Sequence, residues 1–223
     1  MKKTLLPLLF AITIFAGCKK DSVLPPVDMG YRYFPVNVGH WVLYQVDSTN
    51  WNDFTGAVDT FQFQIKETVE SEYLDNEGRP TARLERYKKM SDTSSWYLAD
   101  VWVMNLTQST AEKVEENIRF VKMIFPTKSG LVWNGNIYNT LGKQDYEYKQ
   151  FNKPYIANNI QYDSTVTVLQ ANEITLISED IANEVYARDI GMIYKKYRSI
   201  VKKPTGEIEK GKDYTYTILS YGN

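Results

Sequence analysis

The strongest chemical suggestion in this sequence is Trp96, Asp100 and Trp102, which share one parity of an alternating run. Indoles on one face can stack on sugar rings or line an apolar cleft, so the three are read as candidate ligand-binding residues. Trp51 and Trp133 invite the same reading, although tryptophans of a β domain also simply fill its core. An apolar setting would raise the pKa of Asp100, and a hydrogen-bonded structural acid would account for the residue equally. Glycoside hydrolysis needs only two carboxylates, about 5 to 9.5 Å apart according to mechanism. Glu67, Glu85, Asp100 and Glu147 fall in predicted strands and could meet, but a chain with 27 acidic residues offers such pairs by chance. Other chemistries lack their residues. The chain has one histidine, His40, inside an aromatic run, where it reads as structural rather than as the base of a triad. Its one cysteine is Cys18, so a zinc site would have to be carboxylate-rich. Asp75, Asn76, Glu77 and Gly78 miss the register of a calcium loop and read as a hairpin turn. No glycine-rich phosphate loop occurs, and neither a cofactor nor a metal is expected.

The elements that must position these side chains are strands. The 223 residues include 17 Tyr, 9 Phe and 5 Trp, types that favour a pleated, half-buried surface. Short alternating runs separated by turn clusters replace any sustained helical period. The first run spans 33–47. In the next, Phe61, Phe63, Ile65 and Val69 share a face with Glu67, a charged residue on the inward parity. A turn at 75–80 leads to a strand over 81–90. Residues 94–104 are apolar on both faces and predict a central or doubly wrapped strand. Residues 112–117 read as one helical turn or a strand edge, and 118–125 as a strand stopped by Pro126. Further strands are predicted at 145–151 and 161–170, a short helix at 178–183, and a closing hairpin of 184–201 with 208–221 across Pro204, Thr205 and Gly206.

The first residues read as a processing signal. Lys2 and Lys3 precede an apolar run from Leu5 to Phe15 that is shorter than the ~20 residues of a spanning helix. Phe15, Ala16, Gly17 and Cys18 then resemble the lipobox of a bacterial lipoprotein precursor, with Phe in place of the usual Leu. The resemblance implies that Cys18 becomes the lipid-modified first residue of the mature chain. Lys19, Lys20, Asp21 and Ser22, followed by Pro25 and Pro26, read as a tether that reaches roughly 40 Å when extended. Lys20 and Asp21 partly match a surface-export signal of Bacteroidota, which leaves periplasmic and cell-surface faces open.

Tyr33, Phe34 and Pro35, then Gly39 and Trp41, resemble the opening of a set of uncharacterised Bacteroidota envelope lipoproteins. Phe125, Pro126, Gly130, Trp133 and Gly135 resemble a second segment of that family, and Ala187, Gly191, Tyr194 and Lys195 its closing one. The resemblance implies a mostly antiparallel β domain and brings no catalytic residues. Asp47, Ser48, Thr49 and Asp163, Ser164, Thr165 resemble the O-glycosylation signal of the same phylum, at Ser48 and Ser164.

The formal net charge of −1 becomes about −3 without Lys2 and Lys3, which gives no support for a nucleic-acid partner. The sequence therefore predicts a signal peptide at 1–17, a lipidated tether at 18–30 and one all-β antiparallel domain at 31–223. That domain would be a strongly curved sheet or partly open barrel, with a two-sheet sandwich as the alternative. The expected function is a non-catalytic, outer-membrane-anchored module binding glycan, lipid or an envelope protein; the alternative is a carboxylate-based glycan hydrolase.

Overall fold

The structure, a computed structural model, describes residues 27–223. The expected signal peptide, Cys18 and most of the expected tether lie outside these residues. Twelve antiparallel strands form one sheet, without an α-helix among the described residues. In chain order they are β1 (Trp41–Trp51), β2 (Val58–Leu74), β3 (Pro80–Lys89), β4 (Tyr97–Leu106), β5 (Thr110–Glu115) and β6 (Ile118–Ile124). Then follow β7 (Val132–Asn134), β8 (Asp145–Ala157), β9 (Ile160–Ile174), β10 (Ser178–Ala187), β11 (Gly191–Lys202) and β12 (Ile208–Gly222).

Every consecutive pair is a ladder except β6 and β7, and β1 pairs with β12 from Trp41 opposite Gly222 to Trp51 opposite Gly211. The sheet is thus a nearly closed up-and-down barrel, whose one unsealed seam falls in the middle of the chain. Pro126 has no N–H to offer a ladder, and the segment it begins leads away from β6. A few bonds cross the seam: Val121 N–H to the Gly135 carbonyl at 2.9 Å, and the Trp133 indole N–H to the Val121 carbonyl at 2.8 Å. The Tyr148 hydroxyl donates to the Ile124 carbonyl at 2.7 Å and accepts its N–H at 2.9 Å. Gly135 permits this closeness, since a Cβ there would lie 2.4 Å from the Tyr146 ring.

Local chemistry explains the turns. Glu116 with Asn117, and Asn158 with Asn159, have positive φ at both positions, the two-residue hairpin geometry that asparagine tolerates. Residues 112–115 are accordingly strand, and the charged run ends in a hairpin. The helix expected at 178–183 is absent: Ser178 opens β10, which is paired on both sides, and two ladders outweigh an incomplete helix cap. The strand expected over 184–201 is broken at Arg188, Asp189 and Ile190, where Asp189 takes φ 65°. Nor is the 94–104 run covered on both faces. β4 starts at Tyr97, and the outward Val101 is 42% exposed.

One end of the barrel has a floor. Residues 28–30 fall in the span read as tether, yet contacts begin at Asp28, which pairs with Arg188 at 2.7 Å. Met29 accepts the Thr127 N–H at 3.0 Å. A 3-10 turn (Tyr31–Tyr33) then turns Tyr33 and Phe34 into the barrel, where both are buried. Tyr33 packs edge-on against Phe151 and shares a 2.9 Å hydrogen bond with Ser164 Oγ. His40 completes the floor, its Nε2 3.0 Å from the Ile190 carbonyl and its Nδ1 2.8 Å from Asn223 Oδ1.

Candidate functional site

The inward parity of the strands brings charges, not only apolar groups, to the barrel's interior. On β2, Glu67 lies opposite Val42 of β1 and Arg86 of β3, and Arg86 lies opposite Asp100 of β4. Glu67 accepts Arg86 Nε at 2.9 Å and Lys113 Nζ at 3.0 Å. Arg86 continues to Asp100 at 2.7 Å and to the Tyr216 hydroxyl at 3.2 Å. A second group follows across the seam. Lys122 of β6 reaches Glu115 at 2.9 Å and Glu184 of β10 at 3.0 Å, and Lys195 of β11 reaches Glu184 at 3.1 Å. The remaining oxygen of Glu184, a residue only 1% exposed, accepts the Tyr186 hydroxyl at 2.6 Å. Four acids and four bases thus alternate, an arrangement that avoids the cost of an unpaired buried charge.

Burial alone would raise the pKa of Glu67, but the charges of Lys113 and Arg86 outweigh it and hold the carboxyl below its usual range. Burial likewise opposes ionisation of Glu115, and Lys122, Lys195 and Lys113 override it to leave a pKa of about 2. Glu184 is lowered by the same contest, burial against Lys122 and Lys195. Burial pulls Lys122 down, while Glu115 and Glu184 more than restore it, so its pKa rises. The depressed acids contribute stability that is complete above their unfolded values and lost as pH falls through the folded ones. Lys122 contributes stability that is complete below its unfolded value of 10.5 and lost as pH rises through its folded one. Urea unfolding should therefore give a plateau near neutrality and a steep loss from about pH 4.5 towards 2. Stability unchanged down to about pH 2.5 would mean that the interior acids are not held charged by the fold.

Beside this network lies a cavity of about 370 Å³, within the ~300–1,000 Å³ range of small-molecule pockets. Phe34, His40 and Ile190 line its floor end; Val42, Val46, Phe63 and Leu84 line an apolar side. Glu116 and Lys212, both exposed, line the opposite end, where β12 begins beside the last residues of β1. The cavity therefore opens away from the floor.

Of the three residues singled out in the sequence, two meet here. Trp102 lines the cavity, with the Arg86 guanidinium 3.6 Å from its ring centroid and its indole N–H donating to Glu116 at 3.2 Å. Asp100, 32% exposed at its side chain, binds the far side of Arg86. Trp96 lies outside the barrel ahead of β4, with Lys89 6.0 Å from its ring. Trp133 is buried at the seam, and Trp51 ends β1. Among the paired acids, Glu85 is taken by Arg83 and Tyr87, and Glu147 by Lys149. Ser48 faces the cavity, and Ser164 Oγ bonds Asn152 and Tyr33 beneath the floor. Cys18 lies outside the described residues. Sequence reasoning missed Arg86, Lys113, Glu115, Lys122, Glu184 and Lys195. The parity that flagged Glu67 could have found them, since Arg86 shares parity with Leu84, and Glu184 with Ala182 and Tyr186.

No protein-family model matches the sequence, and no curated protein does. Among solved structures, the chain is similar to an assigned exported protein with a YmcC-like fold from Bacteroides fragilis. That comparison has a TM-score of 0.46 and 9% identity, covering 85% of this chain and 98% of the other. It is also similar to an assigned lipoprotein from Parabacteroides distasonis, with a TM-score of 0.40 and 8% identity over the same shares.

Proposed function

We propose that this chain is an envelope lipoprotein, anchored to the outer membrane through Cys18, whose barrel binds a small ligand without transforming it. The carrying observation is the cavity: a floored barrel with about 370 Å³ left unfilled. A purely structural barrel of this size would fill that space with side chains, because interiors otherwise pack like organic crystals. The state of the acids supports binding over hydrolysis. A general acid needs a raised pKa, whereas Glu67, Glu115 and Glu184 are all lowered by paired cations. The enclosed shape favours a small molecule over a polymeric glycan, whose stacking platform would need bare indoles. Trp102 is already covered by Arg86. Because the chain enters through the floor, an anchor at Cys18 would leave the cavity's mouth facing away from its membrane.

Two measurements test this. Cys18→Ser should move the protein from the membrane to the soluble fraction with its unfolding midpoint unchanged; continued membrane association would refute the anchor. Protein purified from native membranes should yield a small molecule on organic extraction, and Val46→Trp, which pushes an indole into the cavity along its apolar side, should yield much less. Equal recovery from both would place binding elsewhere and remove the barrel reading.

A further inference from the structure

The cavity wall is unequal in its hydrogen-bonding capacity. All four carboxylates that line it are engaged: Glu67 and Glu184 through both oxygens, Glu115 by Lys122, and Glu116 by the Trp102 indole. The cations are not used up. An ammonium has three donors, yet among the described residues Lys113 bonds only Glu67, with the Trp102 ring 4.9 Å away, and Lys195 pairs only with Glu184. Lys212 makes no hydrogen bond or ion pair among the described residues. Tyr214, next to Lys212 along the inward face of β12, adds a hydroxyl without a hydrogen bond among the described residues. Beside these spare donors runs the apolar side of Val42, Val46, Phe63 and Leu84, Val46 lying directly across the ladder from Tyr216 of β12. At ~30 Å³ for each water-sized atom, the space takes about a dozen non-hydrogen atoms, too few for a two-chain lipid.

We infer that the ligand is a single-chain monoanionic amphiphile, its acceptor head held by Lys195, Lys212 and Tyr214 and its hydrocarbon chain lying along the apolar side formed by β1, β2 and β3. This deepens the ligand-binding reading above and rests on it. The head completes donors that the protein's own acids leave open. A neutral head would forgo a charge-assisted bond, which is roughly twice as strong as a neutral one. A cationic head would be repelled by Lys195 and Lys212, and the one lining carboxylate outside an ion pair, Glu116, lies exposed at the mouth.

The test is calorimetric titration of the full-length protein, delipidated, with decanoate, decan-1-ol and decylammonium, which share one chain and differ in the head. Decanoate should bind at least tenfold more tightly than the other two. Lys195→Met should weaken decanoate about tenfold or more and leave decanol unchanged. If Lys195→Met fails to fold, Lys212→Ala at the exposed mouth serves instead, with the same selective loss. Val46→Trp should make decanoate binding much weaker. Decanol or decylammonium binding as tightly as decanoate would overturn the anionic assignment while leaving a ligand-binding barrel. Decanoate binding undiminished in Val46→Trp would overturn the seat. If none of the three probes binds the wild-type protein, the inference fails, and the ligand-binding reading fails with it if native extraction is also empty.

Discussion

Replacing Glu184 with glutamine is expected to lower the unfolding free energy by about 3 to 5 kcal/mol, the usual cost of removing one partner of a buried ion pair. Glu184 is the acceptor that Lys122 and Lys195 share, and it also takes the Tyr186 hydroxyl. Glutamine keeps the shape but removes the charge, so Lys195 loses its contact carboxylate and Lys122 keeps only Glu115. The effect should show as a lower midpoint in urea with an unchanged slope, because the surface exposed on unfolding is the same. It also bears on closure: Lys122 sits on β6 and Glu184 on β10, so this pair links the two halves of the barrel across its interior. A loss below about 1 kcal/mol in Glu184→Gln would mean that water screens the interior and that the network is not a structural tie.

Truncating Tyr33 to alanine should cost a similar amount, about 3 to 5 kcal/mol, as for other large aromatic truncations in a core. The side chain is fully buried beneath the barrel, packed on Phe151, with Arg188 5.3 Å from its ring. Tyr33→Phe should cost only about 1 kcal/mol, the net value of the hydroxyl's bond to Ser164. The contrast separates the ring's role as a plug from that of its hydrogen bond. In hydrogen exchange, Tyr33→Ala should also expose the amides of Asp189 and Thr127, which donate to the neighbouring Arg32 and Met29 carbonyls. If those amides stay protected, residues 28–40 hold the floor without Tyr33, and the Tyr-Phe-Pro stretch is not its anchor.

Much of the fold was legible because strand signals are local. Alternation in β1, β2, β9 and β12, and turns at 75–79 and 203–207, report on residues that are neighbours in sequence. The misreading at 178–183 has a plain cause. A local cap signal says nothing about how many neighbours a segment has, and β10 gained two ladders. The 94–104 run did become a central strand, β4 between β3 and β5, though its outer face stayed open. The site was less legible. Trp102 and Asp100 were chosen for their company of apolar residues, but what brings them together is Arg86; its parity with Leu84 puts it on an inward face, and no local pattern says which acids it will meet there.

By itself the sequence determined an antiparallel β chain, with no thiol beyond Cys18 and with a charged residue, Glu67, on an inward face. Period-two alternation and composition suffice for that, because both are properties of short segments. Only the tertiary structure decided that the sheet closes between its first and last strands and stays unsealed in mid-chain, and that Trp96 is left outside. It also decided the partners of the inward charges. Glu67 finds Lys113 across 46 residues of chain and Lys122 finds Glu184 across 62. Such contacts are fixed by the closure and register of the whole barrel. A one-residue slip in any strand would turn its charge out to solvent and leave the partner buried alone.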